Sequence, residues 1–308
     1  MKIVILTEFG KGIGLGHITR MGALSDYLNE TGDKCELIAY EKGSESSNWL
    51  RSEVYMHHIL NVDAVIIDSY LCDYQIYSEI SKEVPILMAI DDFNRIQYPK
   101  SVIINPNVYY SSIDYSNQTA KHFGGIDYVI LRRPFSDDPT ISQIDQQILI
   151  TLGGSDYRKL LPILARLSGS FSNIHFIVPD LDEFNALLSD FPKLKIFGKL
   201  SEWEFYRELS EAEIVISACG QTLHECYRLE KNTIGICIDH DQILNRNYYE
   251  SVGFLFNSYD WNEKSLLEGI EKDITSLIRE KKSIDNKTRT KLNPKRNLEN
   301  IKAKLVAG

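Results

Sequence analysis

The sequence predicts an α/β protein with two domains, each built on a mostly parallel β-sheet. Short apolar runs of strand length alternate with helical stretches along the chain, which is the pattern of βαβ units with right-handed crossovers. A polar, proline-containing stretch at 132–139 interrupts this pattern, which then starts again. The chain has 308 residues, enough for about two domains.

Composition and charge exclude several classes of protein. Hydrophobic residues make up 43% and charged residues 25% of the chain, as in ordinary globular proteins. No apolar run approaches the roughly 18 residues of a membrane-spanning helix, and the first residues lack the features of a signal peptide. A net charge of −9 argues against a nucleic-acid partner. The five cysteines are scattered without metal-ligand spacing, which indicates reduced thiols in a cytoplasmic protein.

The predicted elements divide the chain into three parts. The first domain, at 1–135, has strands at 2–7, 34–40, 64–67, 85–90 and 101–105, helices at 18–31 and 74–82, and a polar loop at 41–55 with room for a short helix. The second domain, at 145–260, has strands at 147–152, 175–179, 195–197, 213–217 and 233–238 and helices at 159–167, 181–188, 202–210, 222–229 and 242–252. The remainder, 261–308, is predicted to be helical, and its basic stretch at 281–295 is interpreted as a solvated surface.

A glycine-rich turn separates the first strand from the first helix. Four glycines alternate with other residues from Gly10 to Gly16, and His17 comes next. Glycine permits positive φ and close approach of the backbone to a ligand, and a helix N-terminus attracts anions. His17 would lie where its imidazole can give or take a proton near neutral pH. The turn matches neither the GxGxxG fingerprint nor the P-loop, so a plain turn with a surface histidine remains the alternative.

Polar residues directly follow three further apolar runs of the first domain. They are Asp68-Ser69-Tyr70, Asp91-Asp92 and Asn105-Pro106-Asn107. Because ligands of parallel sheets collect at the carboxyl ends of the strands, these residues and the glycine-rich turn are expected at one edge of the sheet. Any one of them taken alone is more simply explained as a helix cap or turn residue. Four polar strand ends together favour a binding site.

The second domain has two turns of small residues after predicted strands, Gly153-Gly154-Ser155 and the segment from Ser217 to Thr222. Small residues let backbone N–H groups reach a phosphate. Thr222 is predicted to open a helix that carries Glu225 three residues later. That spacing fits a capping box, in which the carboxylate folds back on its own helix end. It fits a carboxylate that accepts hydrogen bonds from ribose hydroxyls equally well.

These motifs, in this order, resemble the glycosyltransferase-B fold, in which two Rossmann-like domains face a cleft. More narrowly, residues 1–256 resemble the UDP-2,4-diacetamido-2,4,6-trideoxy-β-L-altropyranose hydrolase family of bacterial pseudaminic acid biosynthesis. The segments that carry the resemblance are 14–20 (GLGHITR), 67–70 (IDSY), 91–92 (DD), 105–107 (NPN), 128–132 (YVILR), 152–156 (LGGSD) and 217–225 (SACGQTLHE).

The resemblance implies that the chain hydrolyses a UDP-sugar and releases UDP, with no metal or other cofactor and a nucleotide-sugar as its small-molecule partner. It implies that His17 activates water, with Asp68 and Tyr70 as further catalytic residues. The residues that it assigns to substrate binding on the first domain are Gly14, Gly16, Arg20, Asp92, Asn105 and Asn107. Those that it assigns to the nucleotide on the second domain are Gly153, Gly154, Ser155, Ser217, Ala218, Gly220, Gln221, Thr222 and Glu225.

Some residues depart from the pattern of that family. Ser69 stands where the family commonly has histidine, and Cys219, His224 and Cys226 are also unusual for it. They leave open an inverting glycosyltransferase of the same fold that uses a nucleotide-sugar donor to build a surface polysaccharide. A non-catalytic nucleotide-binding protein is a third alternative. An NAD-dependent dehydrogenase is disfavoured, because GxGxxG followed by an acidic residue is absent.

Overall fold

The computed structural model describes residues 1–10, 13–42, 52–137, 143–154, 156, 158–182, 184, 190–280 and 291–307. The chain forms two compact units, one of Met1–Ser136 with Leu292–Gly308 and one of Asp137–Lys291. In the described part of the chain, each unit holds a six-stranded sheet in which every pair of neighbouring strands is parallel. The α/β class predicted from the sequence is therefore confirmed.

The first unit contains the sheet order β2-β1-β3-β4-β5-β6. Its elements along the chain are β1 (Lys2–Gly10), α1 (Gly16–Glu30), β2 (Lys34–Lys42), α2 (Ser52–Ile59), β3 (Ala64–Asp68), α3 (Tyr74–Glu83), β4 (Ile86–Ile90), β5 (Val102–Asn105) and β6 (Lys121–Gly124). The direction in which the chain adds strands reverses between β1 and β3, which makes their carboxyl ends the topological switch point of this sheet.

Both faces of the first sheet are covered. Alternate strand residues point to opposite faces, so Val65 and Ile67 enter one apolar core and Ala64 and Ile66 enter another. Burial on both faces explains why β3 is a continuous apolar run instead of an alternating one. The second core includes Met21 and other apolar residues of α1, which fixes that helix against the sheet.

The second unit contains the sheet order β12-β11-β10-β7-β8-β9. Its elements are β7 (Ile148–Thr151), α4 (Leu161–Leu164), β8 (Ile174–Ile177), β9 (Lys195–Phe197), α5 (Glu202–Glu211), β10 (Ile214–Ala218), α6 (Gln221–Arg228), β11 (Asn232–Cys237), α7 (Ile243–Ser251), β12 (Leu255–Asp260) and α8 (Leu266–Glu280). Counted from β7, this is the order 3-2-1-4-5-6 of the Rossmann fold, with its switch point between β7 and β10.

The last helix, α9 (Pro294–Ala307), belongs to the first unit although the chain reaches it from the second. Leu298, Ile301 and Leu305 are buried in the core beside α1. The buried Asn297 side chain donates hydrogen bonds to the carbonyl oxygens of Ile126 and Val129 at 2.8 and 2.9 Å. Apolar packing and these two bonds hold α9 on the first unit.

The predicted elements need four corrections. Strands β6 and β12 were not predicted, because both lie at sheet edges and their exposed polar residues interrupt any apolar run. The helix predicted at 159–167 is α-helical only over Leu161–Leu164 and continues as a 3₁₀-helix over Ala165–Gly169. The region predicted to be helical from 262 instead begins its helix at Leu266. The first helix begins at Gly16, two residues before its predicted start.

Parts of other predictions fall outside the described residues. These include most of the helix predicted at 181–188, the segment 43–51 of the predicted polar loop, and nearly all of the basic stretch at 281–295. Among the helices that the structure describes, none is long and apolar enough to cross a membrane.

Candidate active site

The polar strand ends of the first unit come together at the carboxyl edge of its sheet. Thr7 of β1 is paired with Asp68 of β3, so the glycine-rich turn and Asp68 lie at the switch point. Strands β4 and β5 follow side by side, which brings Asp92 and Asn105 to the same edge. The prediction that these segments share an edge is therefore confirmed by the sheet order.

The turn before α1 depends on its glycines. Gly10 and Gly14 have φ values of 114° and 83°, a region that side-chain-bearing residues rarely adopt, and they form an isolated bridge with each other. Open space surrounds the position that a Cβ would take on Gly14 or Gly16, so the backbone of this turn is accessible. Lys11 and Gly12 lie outside the described residues.

His17 is the second residue of α1 and is nearly buried, at 4% exposure. Its Nδ1 lies 2.6 Å from Oδ1 of Asp68. The ring of Tyr70 contacts the imidazole edge to face, with 4.4 Å between the ring centroids. Nη2 of Arg20 lies 3.2 Å from the same Nδ1. The shorter contact with the carboxylate indicates a proton on Nδ1, which leaves Nε2 as the nitrogen that can accept a proton. His17 is thus an oriented imidazole and not the surface histidine of the alternative interpretation.

Arg20 lies one helical turn after His17 and forms ion pairs with two buried carboxylates. It donates to Asp68 from Nε and from Nη2, both at 2.6 Å, and to Asp92 from Nη1 at 2.9 Å. Burial by itself raises the pKa of Asp68, but the charges of Arg20 and His17 outweigh it and hold that pKa well below its ordinary value. The same competition between burial and Arg20 lowers the pKa of Asp92. Both carboxyl groups are therefore anionic near neutral pH.

Asp92 joins the remaining predicted residues of the first unit. It accepts hydrogen bonds from the Tyr70 hydroxyl and from Nδ2 of Asn107, both at 2.7 Å. Asn105 in turn accepts from the backbone N–H of Asn107 at 3.0 Å. Burial and the adjacent Asp92 charge raise the pKa of Tyr70 far above its ordinary value, so its hydroxyl keeps its proton. Apart from Gly14 and Gly16 in the turn before α1, the catalytic and sugar-binding candidates of the first unit form one hydrogen-bonded network around Asp68 and Asp92.

The sequence interpretation missed a supporting layer behind this network. Asp91 accepts hydrogen bonds from the hydroxyls of Tyr98 and Tyr115, both at 2.7 Å, and Tyr115 also accepts from Asn105. Glu8, two residues before the end of β1, is 1% exposed. It directly follows the strand predicted at 2–7, so the strand-end rule that selected the other residues could have identified it.

Ser69 has a structural role in this turn. Its hydroxyl donates to Oε2 of Glu8 at 2.7 Å and accepts from the backbone N–H groups of Leu71 and Cys72 at 3.0 and 2.9 Å. The residue is 3% exposed, so its hydroxyl is committed to the chain itself. Ser69 stands where the resembled family commonly has histidine. Because its hydroxyl is used within the turn, this difference gives no support to the glycosyltransferase alternative.

The predicted nucleotide-binding turns of the second unit lie at its own switch point. Gly153 and Gly154 follow β7, while Ser217 and Ala218 end the neighbouring strand β10. Gly153 has a φ of 89° with open space around it, and Gly220, Gln221 and Thr222 lead into α6 from the end of β10. Ser155 lies outside the described residues. The sheet order brings the two turns together as the sequence suggested.

Glu225 does not belong to a capping box. Helix α6 begins at Gln221 with Gly220 as its N-cap and no side-chain cap, so Thr222 lies inside the first turn instead of preceding it. Glu225 itself is completely buried. The capping interpretation is wrong because the helix starts two residues earlier than a capping box with Thr222 as its N-cap requires. Among the residues that the structure describes, no group of three or more His, Cys, Asp or Glu side chains is arranged to hold a metal ion.

Comparison with known proteins identifies one informative relative. No family model matches the chain. The chain is 24% identical over 282 residues to the pseudaminic acid cytidylyltransferase and UDP-2,4-diacetamido-2,4,6-trideoxy-beta-L-altropyranose hydrolase of Helicobacter pylori. This match confirms the resemblance predicted from the sequence. It covers 90% of this chain and 51% of the relative, so the chain spans about half the length of the curated protein that it matches.

Solved structures share the fold at low sequence identity. MurG of Acinetobacter baumannii has a TM-score of 0.61 at 14% identity, with both chains covered completely. The UDP-GlcNAc 2-epimerase of Methanocaldococcus jannaschii, solved with UDP-GlcNAc and UDP, has a TM-score of 0.60 at 15% identity, again over 100% of both chains. The spinosyn rhamnosyltransferase SpnG, solved with thymidine diphosphate, has a TM-score of 0.59 at 13% identity over 100% of this chain and 96% of that one. These likenesses confirm the α/β fold of the glycosyltransferase-B type.

Proposed function

We propose that this protein is a nucleotide-sugar hydrolase that releases UDP from a UDP-2,4-diacetamido-2,4,6-trideoxy-hexose. The observation that carries the proposal is the contact of His17 Nδ1 with Asp68 at 2.6 Å. Arg20 donates a hydrogen bond to the same carboxylate and balances its charge. The reaction class and substrate come from the name of the curated relative, which supports them over 90% of this chain.

His17 acts as the general base for water. Asp68 accepts a hydrogen bond from Nδ1–H and fixes the tautomer, so Nε2 takes a proton from water as the water oxygen bonds to the anomeric carbon. The bond between that carbon and the diphosphate oxygen breaks, and UDP leaves with the electron pair. Asp68 stabilises the imidazolium that forms, and Arg20 keeps Asp68 ionised for this role. Because a nucleoside diphosphate is a good leaving group, the site needs no strong acid, metal or other cofactor.

The second unit binds the nucleotide in this proposal. The turns at Gly153–Gly154 and Gly220–Thr222 offer backbone N–H groups to the diphosphate, and the N-terminus of α6 adds its dipole. Glu225 accepts hydrogen bonds from the ribose hydroxyls. The charge that develops on the departing UDP is stabilised by these fixed donors.

The experiment that tests the function is an assay for UDP release from the UDP-linked 2,4-diacetamido-2,4,6-trideoxy-altrose, without an acceptor. Wild type is compared with His17→Ala and with His57→Ala, an exposed histidine of α2 that serves as the control. We expect His17→Ala to lower kcat by about 10²–10⁴-fold, the usual contribution of a general base, while the control keeps full activity. Release should persist in EDTA, and ¹⁸O from labelled water should enter the sugar and not UDP.

A Glu225→Ala variant tests the nucleotide site separately. We expect its affinity for UDP, measured by calorimetry, to fall while the His17→Ala variant binds UDP normally. No UDP release from this substrate would overturn the hydrolase. Release that appears only when a sugar acceptor is added would instead identify a glycosyltransferase, the second candidate, which the fold of the rhamnosyltransferase structure supports.

A further inference from the structure

The turn that follows β3, from Asp68 to Cys72, is held by a buried carboxylate. Oε1 of Glu8 accepts hydrogen bonds from the backbone N–H groups of Tyr70 and Leu71 at 2.7 and 3.1 Å. Oε2 of Glu8 accepts from the Ser69 hydroxyl at 2.7 Å. One carboxylate on β1 thus accepts three hydrogen bonds from the turn that follows the neighbouring strand β3.

A cation holds the carbonyl groups of the same turn. Nη2 of Arg95 donates to the carbonyl oxygen of Ser69 at 3.1 Å and to that of Cys72. The backbone N–H of Arg95 is itself bonded to Oδ1 of Asp91 at 3.1 Å. Glu8 and Arg95 therefore form a clamp. The Glu8 carboxylate accepts hydrogen bonds from N–H and O–H groups of the turn, and the Arg95 guanidinium donates hydrogen bonds to its carbonyl groups.

The clamped turn carries two of the contacts that orient His17, and Nη2 of Arg20 on α1 makes a third at 3.2 Å from Nδ1. Asp68, before Ser69, binds Nδ1 of the imidazole, and Tyr70, after Ser69, packs its ring against the imidazole edge. A small rotation of the turn would move the two contacts together. Displacement of a catalytic group by about 1 Å can lower a rate by about a hundredfold.

We propose that Glu8 and Arg95 are positioning residues of the hydrolase, which set the tautomer and orientation of His17 through the Asp68–Cys72 turn. The catalytic use of His17 rests on the proposed function, but its orientation by the clamp does not. Glu8 is expected to act on turnover and not on substrate affinity, because its carboxylate bonds only to the chain in the contacts above.

The test compares Glu8→Gln with Glu208→Gln. Glu208 is an equally buried carboxylate of the second unit, bonded to His175 at 2.7 Å, so its variant reproduces the loss of a buried charge away from the site. After correction for the folded fraction, we expect Glu8→Gln to lower kcat by about ten- to a hundredfold with little change in KM. Glu208→Gln should keep the wild-type kcat. Equal kcat values for Glu8→Gln and wild type would overturn the proposal.

A second readout does not depend on catalysis. The ¹⁵N shifts of the His17 ring, assigned by comparison with His17→Ala, report which ring nitrogen carries the proton in the free protein. We expect a single tautomer with the proton on Nδ1 in wild type and in Glu208→Gln, and a mixture of tautomers in Glu8→Gln and in Arg95→Gln. Unchanged ring shifts in both clamp variants would overturn the positioning role, whether or not the protein releases UDP. Changed shifts without any UDP release would leave the clamp intact and overturn only the hydrolase.

Discussion

Nδ1 of His17 and Oδ1 of Asp68 lie 2.6 Å apart in a site where both side chains are almost completely buried. Arg20 balances the charge of this carboxylate through bonds to both of its oxygens. The bond to Asp68 is the shortest of the His17 contacts described above, so we expect it to set the orientation and tautomer of the imidazole.

Replacement of Asp68 by asparagine should remove that control while the site keeps its shape. An amide at this position can present its NH₂ group to Nδ1 and so favour the wrong tautomer of His17. We expect kcat for UDP release to fall by about 10³–10⁴-fold, as when the carboxylate of a Ser-His-Asp triad becomes an amide. Asp63→Asn, at an exposed position of the same unit, is the control, and an activity loss of similar size there would refute the prediction.

Arg20 should be essential for the stability of the first unit. Its replacement by leucine leaves Asp68 and Asp92 buried without a counter-charge, and breaking a buried ion pair in this way costs about 3–5 kcal/mol. Arg133 forms an exposed ion pair with Glu30, so Arg133→Leu should cost no more than about 1 kcal/mol. Chemical denaturation of both variants measures the difference. Similar losses in the two would contradict the buried network.

The buried carboxylates should also make the protein less stable in acid. Asp68 and Asp92 have pKa values in the folded protein that lie below their ordinary ones. Burial raises each pKa, but the interactions with Arg20 and the other donors lower it by more. A depressed carboxyl pKa stabilises the fold above the unfolded pKa of about 3.9, and this contribution is lost as the pH falls through the folded value. The difference in the free energy of unfolding between wild type and Asp92→Asn should therefore shrink from pH 6 to pH 3. A difference that stays constant over that range would exclude this contribution.

The central strands of both sheets were predictable because their residues are buried on both faces. The run predicted at 64–67 is β3 (Ala64–Asp68), and the run predicted at 213–217 is β10 (Ile214–Ala218). The edge strands β6 and β12 carry no such signal. In β12 only Leu255 and Tyr259 are buried, with polar or partly exposed residues between them, so nothing distinguishes this strand from a loop.

Residues of the candidate site were predictable where they directly follow an apolar run, as Asp68 and Asp92 do. Tyr98 and Tyr115 lie 7 and 24 residues from their common partner Asp91, and no local pattern records that pairing. Glu8 directly follows the strand predicted at 2–7, so the same rule applied to it, but its bonds to the turn after β3 could not be inferred from the spacing. Supporting residues of this kind depend on tertiary packing, which residue spacing does not encode.

Helix α9 provides a test of how the chain is fastened to the first unit. Asn297 is 1% exposed and donates to two carbonyl oxygens, so Asn297→Ala leaves both acceptors buried. Each unsatisfied buried group costs about 1–3 kcal/mol. Asn300, on the same helix, donates one exposed bond to the Asp127 carbonyl and is the matched control. We expect hydrogen exchange to accelerate in α9 for Asn297→Ala and to remain unchanged for Asn300→Ala, and equal exchange in the two would refute the prediction.

Lys231 should make the second unit more stable in mildly alkaline solution. Burial lowers the pKa of its amine to about 8, while the same group in the unfolded chain titrates near 10.4. Between these values the unfolded chain binds one proton more than the folded one, so stability rises with pH. The neutral amine still has two hydrogens for its acceptors, the carbonyl oxygens of Ser210 and Ala212.

The measurement is the free energy of unfolding of wild type and Lys231→Met at pH 7, 8, 9 and 10, since the methionine variant lacks the titrating group but keeps much of the side-chain volume. We expect wild type to gain stability relative to Lys231→Met across this range, by an amount on the order of 2–3 kcal/mol for a pKa shift of this size. Lys193→Met, at an exposed position of the same unit, should follow wild type at every pH. A constant difference between wild type and Lys231→Met would mean that the buried amine does not titrate in this range.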